Sequence, residues 1–214
     1  DDERWTNVFK QIGDYDFRDE GEVNVDVLGH LFEKSITELE KRRVLGLFGR
    51  QADPKAEPTM PKSALRKRFG IYYTPPQFTG FLVEETVGQL ISERVDPLED
   101  VTSRIVALRK LRVLDFACGS GAFLVAAYEV FEAAYEVILY RPRVEGRTAE
   151  AAEVHREYPD WILADNLFGV DLSKESVEIT QLALWIRSAR KGKTLSDLSK
   201  NIVCGNSLVA DGTV

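Results

Sequence analysis

The sequence predicts an α/β fold, part of a doubly wound parallel sheet preceded by a helical N-terminal region. Three stretches carry that prediction. Residues 111–124 read Leu-Arg-Val-Leu-Asp-Phe-Ala-Cys-Gly-Ser-Gly-Ala-Phe-Leu: a short apolar run, a glycine turn and the start of a helical pattern. Residues 167–173, Leu-Phe-Gly-Val-Asp-Leu-Ser, form a second apolar run ending in Asp171, with Ser173 placed as the N-cap of a helix. Residues 202–208, Ile-Val-Cys-Gly-Asn-Ser-Leu, make a third strand and its exit loop. Strands alternating with helical stretches are the pattern of a parallel sheet.

Strand, glycine-rich turn and helix together aim backbone N–H groups and a helix N-terminus at a ligand. A dinucleotide fingerprint needs a third glycine for close helix–strand packing, and Phe123 or Leu124 stands in its place. Asp115 sits one or two residues before the end of the first strand and points a carboxylate into the crevice. A carboxylate there repels a pyrophosphate but suits a ligand carrying an ammonium and hydroxyls. That chemistry favours S-adenosylmethionine over NAD. Asp171, at the tip of the second strand, is placed to accept bonds from both hydroxyls of a ribose.

Composition sets the bounds. The chain has 214 residues, 44% hydrophobic and 29% charged, as in an ordinary globular protein. No run approaches the ~20 apolar residues of a membrane span, and no secretory pattern is present. Cys118 and Cys204 make neither a disulfide framework nor a zinc spacing and fit a reducing, intracellular location. A net charge of -7 excludes a general polyanion binder, so any grip on DNA phosphates needs a local patch or further chain. A start without Met and a stop shortly after a strand-like run make the sequence read as an excised fragment.

In chain order, residues 1–20 mix Trp5, Phe9, Tyr15 and Phe17 with acids and show no period. Val25, Leu28, Leu31, Phe32, Ile36 and Leu39 then recur at helical spacing, predicting an amphipathic helix to about Phe48 that packs on the next domain. His30 on it is a surface or packing residue. Residues 51–61 are a proline-bearing linker. Lys62, Arg66, Lys67 and Arg68 read as a solvated face, with DNA phosphates as the alternative partner. Thr74, Pro75 and Gln77 predict a capping box that opens a helix whose face is Phe78, Phe81, Leu82, Val87, Leu90 and Ile91. Residues 98–108 predict a connecting helix and residues 122–138 a helix of about five turns. Residues 141–159 are predicted as an inserted polar loop with a helical piece at 149–155 and an exposed His155. Val177, Ile179, Leu182, Ala183, Trp185 and Ile186 mark the helix after Asp171.

Four of these stretches, Tyr72-Tyr-Thr-Pro75, Asp115-Phe-Ala-Cys-Gly-Ser-Gly-Ala-Phe123, the Asp171 strand and Gly205-Asn-Ser207, stand in the order found in N6-adenine DNA methyltransferases of the large restriction–modification type. The chain resembles that family, which includes fused nuclease–methylases and phage-defence methylases, over roughly residues 22–210. Residues 25–35 also look like the helix that precedes its cofactor domain. The resemblance implies a partial Rossmann-like S-adenosylmethionine-dependent methyltransferase sheet. It divides the chain into a helical region with linker at 1–69 and the first half of a cofactor-binding domain at 70–214. It implies a cofactor site built from Tyr73, Thr74, Asp115, Ala117, Gly119, Gly121, Phe123, Asp171, Leu172, Asn206 and Ser207. Thr74 would meet the carboxylate of S-adenosylmethionine. Asp115, Ala117 and Gly119 would line its amino-acid end, and Asp171 would hold the ribose. Asn206 takes the place of the usual aspartate beside the adenine, where its amide carbonyl still accepts from an amine; a plain turn residue is the other reading.

The family also carries an Asn/Asp-Pro-Pro-Tyr/Phe loop beyond the third strand. It orients the exocyclic amine of a flipped-out base toward the sulfonium methyl. No such tetrapeptide occurs here. The resemblance thus implies no catalytic residue in this chain, weak or no cofactor binding by it alone, and no methyl transfer. The implied partner is double-stranded DNA with a flipped adenine, engaged by an intact parent enzyme in a prokaryotic cytoplasm, with no membrane and no metal. The cytosine amine is a second possible acceptor. A methyltransferase of small molecules or proteins, a non-catalytic helical interaction module, and (last) a nicotinamide enzyme are the alternatives.

Overall fold

The computed structural model describes residues 74–190 and 193–209. The predicted amphipathic helix at 25–48, the basic cluster at 62–68 and Tyr73 lie outside them. Helix α1 spans Pro76–Val83, continues through a π-turn at Glu84–Gly88, and becomes α2 at Gln89–Arg94. Helix α3, Val101–Lys110, leads to strand β1, Val113–Asp115. Helices α4, Ala122–Val144, and α5, Thr148–Trp161, then run to a second π-turn, Ile162–Asn166, and strand β2, Leu167–Asp171. Helix α6, Lys174–Ser188, connects β2 to β3, Ile202–Cys204.

The described strands pair in the order β1-β2-β3, all parallel, with Val113 opposite Leu167 and Asp171 opposite Cys204. This is the α/β architecture the sequence predicts. One face of the sheet presents Leu167, Gly169 and Ile202 to α4 and α6, where Leu124, Tyr128, Phe131 and Leu184 complete a fully buried core. Among the described residues nothing covers the other face. Leu114 is 60% and Phe116 64% exposed, against the expectation that the first apolar run is buried throughout. Side chains alternate across a strand, so one covered face buries only every second residue.

The close helix–strand packing that a dinucleotide fold obtains from a third glycine in the turn comes here from the neighbouring strand. A Cβ on Gly169 would stand 2.9 Å from Leu124 Cδ1 and 3.2 Å from Cys118 Sγ and Ile202 Cδ1. Gly169→Ala should therefore lower the stability to denaturant by about 1–3 kcal/mol through overpacking, at unchanged dependence on denaturant concentration. At the opposite end of the sheet, the fully buried Asn166 donates to the carbonyls of Leu108 (2.8 Å) and Leu111 (2.7 Å), satisfying the last turn of α3 and the entry to β1.

Three expectations about the helices need correction. The capping box does not form: α1 begins at Pro76, its N-cap is Pro75 with φ -57 and ψ 142, and no side chain caps it. A residue before proline is pushed out of the α region, so Pro76 holds Pro75 extended and delays the helix by one residue. The buried face is also displaced in its first turns, while Val87 and Ile91 are buried as predicted. Thr79, Val83, Val87 and Ile91 face the core, while Phe78, Phe81 and Leu82 are exposed. A strict repeat of four runs ahead of the 3.6-residue α-helix, and the wider π-turn at Glu84–Gly88 accommodates it.

The polar stretch 141–159 is helical rather than looped. α4 continues through Pro142, and α5 packs back on it with Tyr158 stacked on Tyr135 at 4.9 Å. His155 is half-buried, with Nδ1 2.8 Å from Glu136 Oε1. Glu136 also accepts from Arg143 at 2.7 Å and Tyr158 at 3.0 Å. This network orders charged residues that the sequence pattern alone assigns to a loop.

Candidate functional site

The turn after β1 is fixed almost entirely by β2 and α6. Cys118 N–H donates to the Val170 carbonyl at 3.0 Å, and Gly121 N–H closes the turn on the Cys118 carbonyl at 2.8 Å. Gly119 N–H donates to Asp171 Oδ2 at 2.9 Å, and the Gly119 carbonyl accepts from the Thr180 hydroxyl at 2.9 Å. Gly119 and Gly121 both have positive φ, 55° and 88°. Gly121 is the N-cap of α4 and offers no side-chain cap, so the first amides of that helix remain open to a ligand.

Asp171 is buried, and both of its oxygens are engaged: Oδ2 with Gly119 and Oδ1 with Ser173 N–H at 2.8 Å. A carboxylate has about four acceptor positions, so each oxygen retains one for a ligand. Ser173 caps α6 as expected, accepting from Ser176 N–H at 3.1 Å. Asp115, at the end of β1, accepts from Ala117 N–H at 3.1 Å. Burial raises its pKa, the Ala117 N–H opposes that rise, and the nearby Asp171 charge adds to it. Burial likewise pushes the Cys118 thiol up to about 12, so that sulfur is a packing group rather than a nucleophile.

Of the other residues implicated by the sequence, Ala117 is exposed on the turn and Phe123 is half-buried against the core. Leu172 is 58% exposed beside Asp171. Asn206 and Ser207 are exposed in the loop after β3, which Gly205 N–H ties to the Asp171 carbonyl at 2.9 Å. Asn206 Oδ1 accepts locally from Leu208 N–H at 3.0 Å. Thr74 is half-buried just before α1, and no described hydrogen bond links it to the turn. The structure thus gathers Asp115, the turn and Asp171 with its following loop at the carboxyl ends of the strands. That is where open α/β sheets take ligands. Thr180 was missed by sequence reasoning. A lone threonine in a helical pattern carries no signal that distinguishes it from a packing residue.

Chemically, two neighbouring carboxylates, one of them strained by burial, favour a ligand with a positive centre and hydroxyl groups and disfavour a pyrophosphate. Among the described residues no group of His, Cys, Asp and Glu could hold a metal ion, and no helix is long and apolar enough to cross a membrane. An open groove of ≈ 660 Å³ lies elsewhere, between α1–α2 and α4, lined by Gly88, Ile91, Ala133 and Val137 among others. It includes none of the turn residues.

Comparison with known proteins agrees with this architecture. The family described as "MmeI, DNA-methyltransferase domain" matches residues 89–211. A putative type II restriction enzyme and methyltransferase of Methanocaldococcus jannaschii is 27% identical over 228 residues, covering 89% of this chain and 17% of the relative. An adenine-specific methyltransferase, BrxX, of Escherichia coli is 26% identical over 192 residues, covering 79% of this chain and 14% of the relative. The chain therefore spans about a sixth of the length of these curated relatives.

Proposed function

The chain belongs to the MmeI DNA-methyltransferase domain family, and from that premise we propose that its glycine turn and strand tips bind S-adenosylmethionine for methylation of an exocyclic adenine amine in DNA. The reading includes a Rossmann-like cofactor domain at 70–214 after a helical region at 1–69. It places the activity in a restriction–modification or phage-defence enzyme of the prokaryotic cytoplasm. The observation that carries it is the pairing of Asp115 and Asp171 across one glycine turn. Asp115 and the exposed Ala117 line the amino-acid end, where the ammonium relieves the carboxylate. The free acceptor positions of Asp171 take the ribose hydroxyls. Leu172, Phe123, Asn206 and Ser207 border the adenosine, and the reading adds Tyr73 and Thr74, with Thr74 at the carboxylate. The relatives' names, an adenine-specific methyltransferase and a putative restriction enzyme and methyltransferase, support the substrate class. The chain's own residues hold and orient the donor; the base-orienting Pro-Pro loop is not among them.

Calorimetric titration of S-adenosylmethionine and of NAD into the chain tests this. Weak but saturable binding of the methionine cofactor and none of NAD is expected; binding of NAD alone overturns it. The pH dependence is a second check. Burial holds the Asp115 pKa above its ordinary range, so acid removes the charge that meets the ammonium sooner than it would on a free carboxylate. Affinity should fall as the buffer is taken from neutral to mildly acid, and Asp115→Asn should flatten the profile. Folding has the opposite sign: with its folded pKa raised, the stability Asp115 contributes is present below its unfolded pKa and is lost as pH rises through its folded pKa.

A further inference from the structure

We propose that Thr180 is a positioning residue for the cofactor turn, holding the Gly119 carbonyl inward and thereby turning the Ser120 N–H outward as a donor for the ligand's carboxylate. The inference rests on the S-adenosylmethionine reading above. Thr180 is fully buried on α6, remote in sequence from the turn, and its hydroxyl donates to the Gly119 carbonyl at 2.9 Å. In a planar trans peptide the carbonyl of one residue and the N–H of the next point in opposite directions. No cis bond occurs among the described residues. Anchoring the Gly119 carbonyl in the interior therefore directs the Ser120 N–H away from it. Among the described residues that N–H has no acceptor, whereas the amides on either side, Gly119 and Gly121, are both engaged. The Thr180 methyl seats the turn from the same side: a Cβ on Gly121 would lie 2.9 Å from Thr180 Cγ2. Asp171 fixes the Gly119 N–H and Thr180 the Gly119 carbonyl, so β2 and α6 fix the two peptide planes that meet at Gly119. The turn is thus left with one free amide, beside the open N-terminus of α4.

The test compares S-adenosylmethionine with its decarboxylated analogue on the 214-residue chain and on Thr180→Val and Thr180→Ser. Valine keeps the shape and removes the donor; serine keeps the donor. Thr180→Val should weaken S-adenosylmethionine about ten-fold, the scale of one hydrogen bond to a charged group. It should leave the analogue within about two-fold, and Thr180→Ser should restore the preference for the carboxylate. A merely structural role for Thr180 would weaken both ligands alike, and equal losses overturn the inference while leaving the cofactor reading intact. Failure of the unsubstituted chain to bind either ligand overturns the cofactor reading and the inference with it.

Discussion

Replacing Asp171 with Ala should weaken S-adenosylmethionine binding by about 100-fold, the largest loss expected from one side chain in this site. Asp171 has two jobs. Its oxygens accept from Gly119 and Ser173 N–H groups, tying the glycine turn to the start of α6. In the proposed complex, its remaining acceptor positions meet the ribose. A hydrogen bond to a charged group contributes roughly 1.5–3 kcal/mol, and two lost to the ligand give about 3 kcal/mol or more, hence two orders of magnitude. The truncation also strands two backbone donors. Denaturant unfolding should show a loss of about 2–4 kcal/mol in parallel. Asp171→Asn separates the jobs: its amide oxygen serves one backbone donor while its NH2 opposes the other. Binding should fall further than for any substitution at the exposed Leu172. Binding isotherms on variants shown to be folded by circular dichroism check this.

Gly121→Ala should cost about 2–5 kcal/mol of stability and abolish measurable cofactor binding. At φ 88° the residue is left-handed, which an L side chain adopts at a cost of about 1–2 kcal/mol. The added Cβ would also stand 2.9 Å from Thr180 Cγ2 and 3.0 Å from its Oγ1. Both atoms belong to a fully buried residue with no room to withdraw, so overpacking adds about 1–3 kcal/mol. Relief requires the turn to move off α6, which breaks the hydrogen bond that orients the Gly119 carbonyl. A stability loss of this size with unchanged cofactor affinity would separate the turn from the binding site.

Much of the site is legible in the sequence because its parts are local. Strand, turn and helix sit within residues 111–124, and Asp171 with its Ser173 cap sits within three residues of the next strand end. What the sequence hid is relational. Thr74 looked like a cap until Pro75 and Pro76 together forced the helix to start later. Val87 and Ile91 of the predicted stripe are buried, but Phe78, Phe81 and Leu82 are exposed, and Thr79 and Val83 take the core side ahead of the π-turn. The charged run 141–159 folded because Glu136 gathers Arg143, His155 and Tyr158, an arrangement that exists only once α4 and α5 lie together. Gly169 and Thr180 act on the turn from another strand and another helix, 48 and 59 or more positions away, and periodicity is silent at such range.

The most direct measurement is a titration of S-adenosylmethionine into the isotopically labelled chain, followed by backbone amide shifts, which register even weak binding. The account predicts saturable shifts centred on Gly119, Ser120, Gly121 and Asp171–Ser173, with the groove residues Gly88, Ala133 and Val137 unmoved. Shifts confined to that groove, with the glycine turn silent, would contradict it.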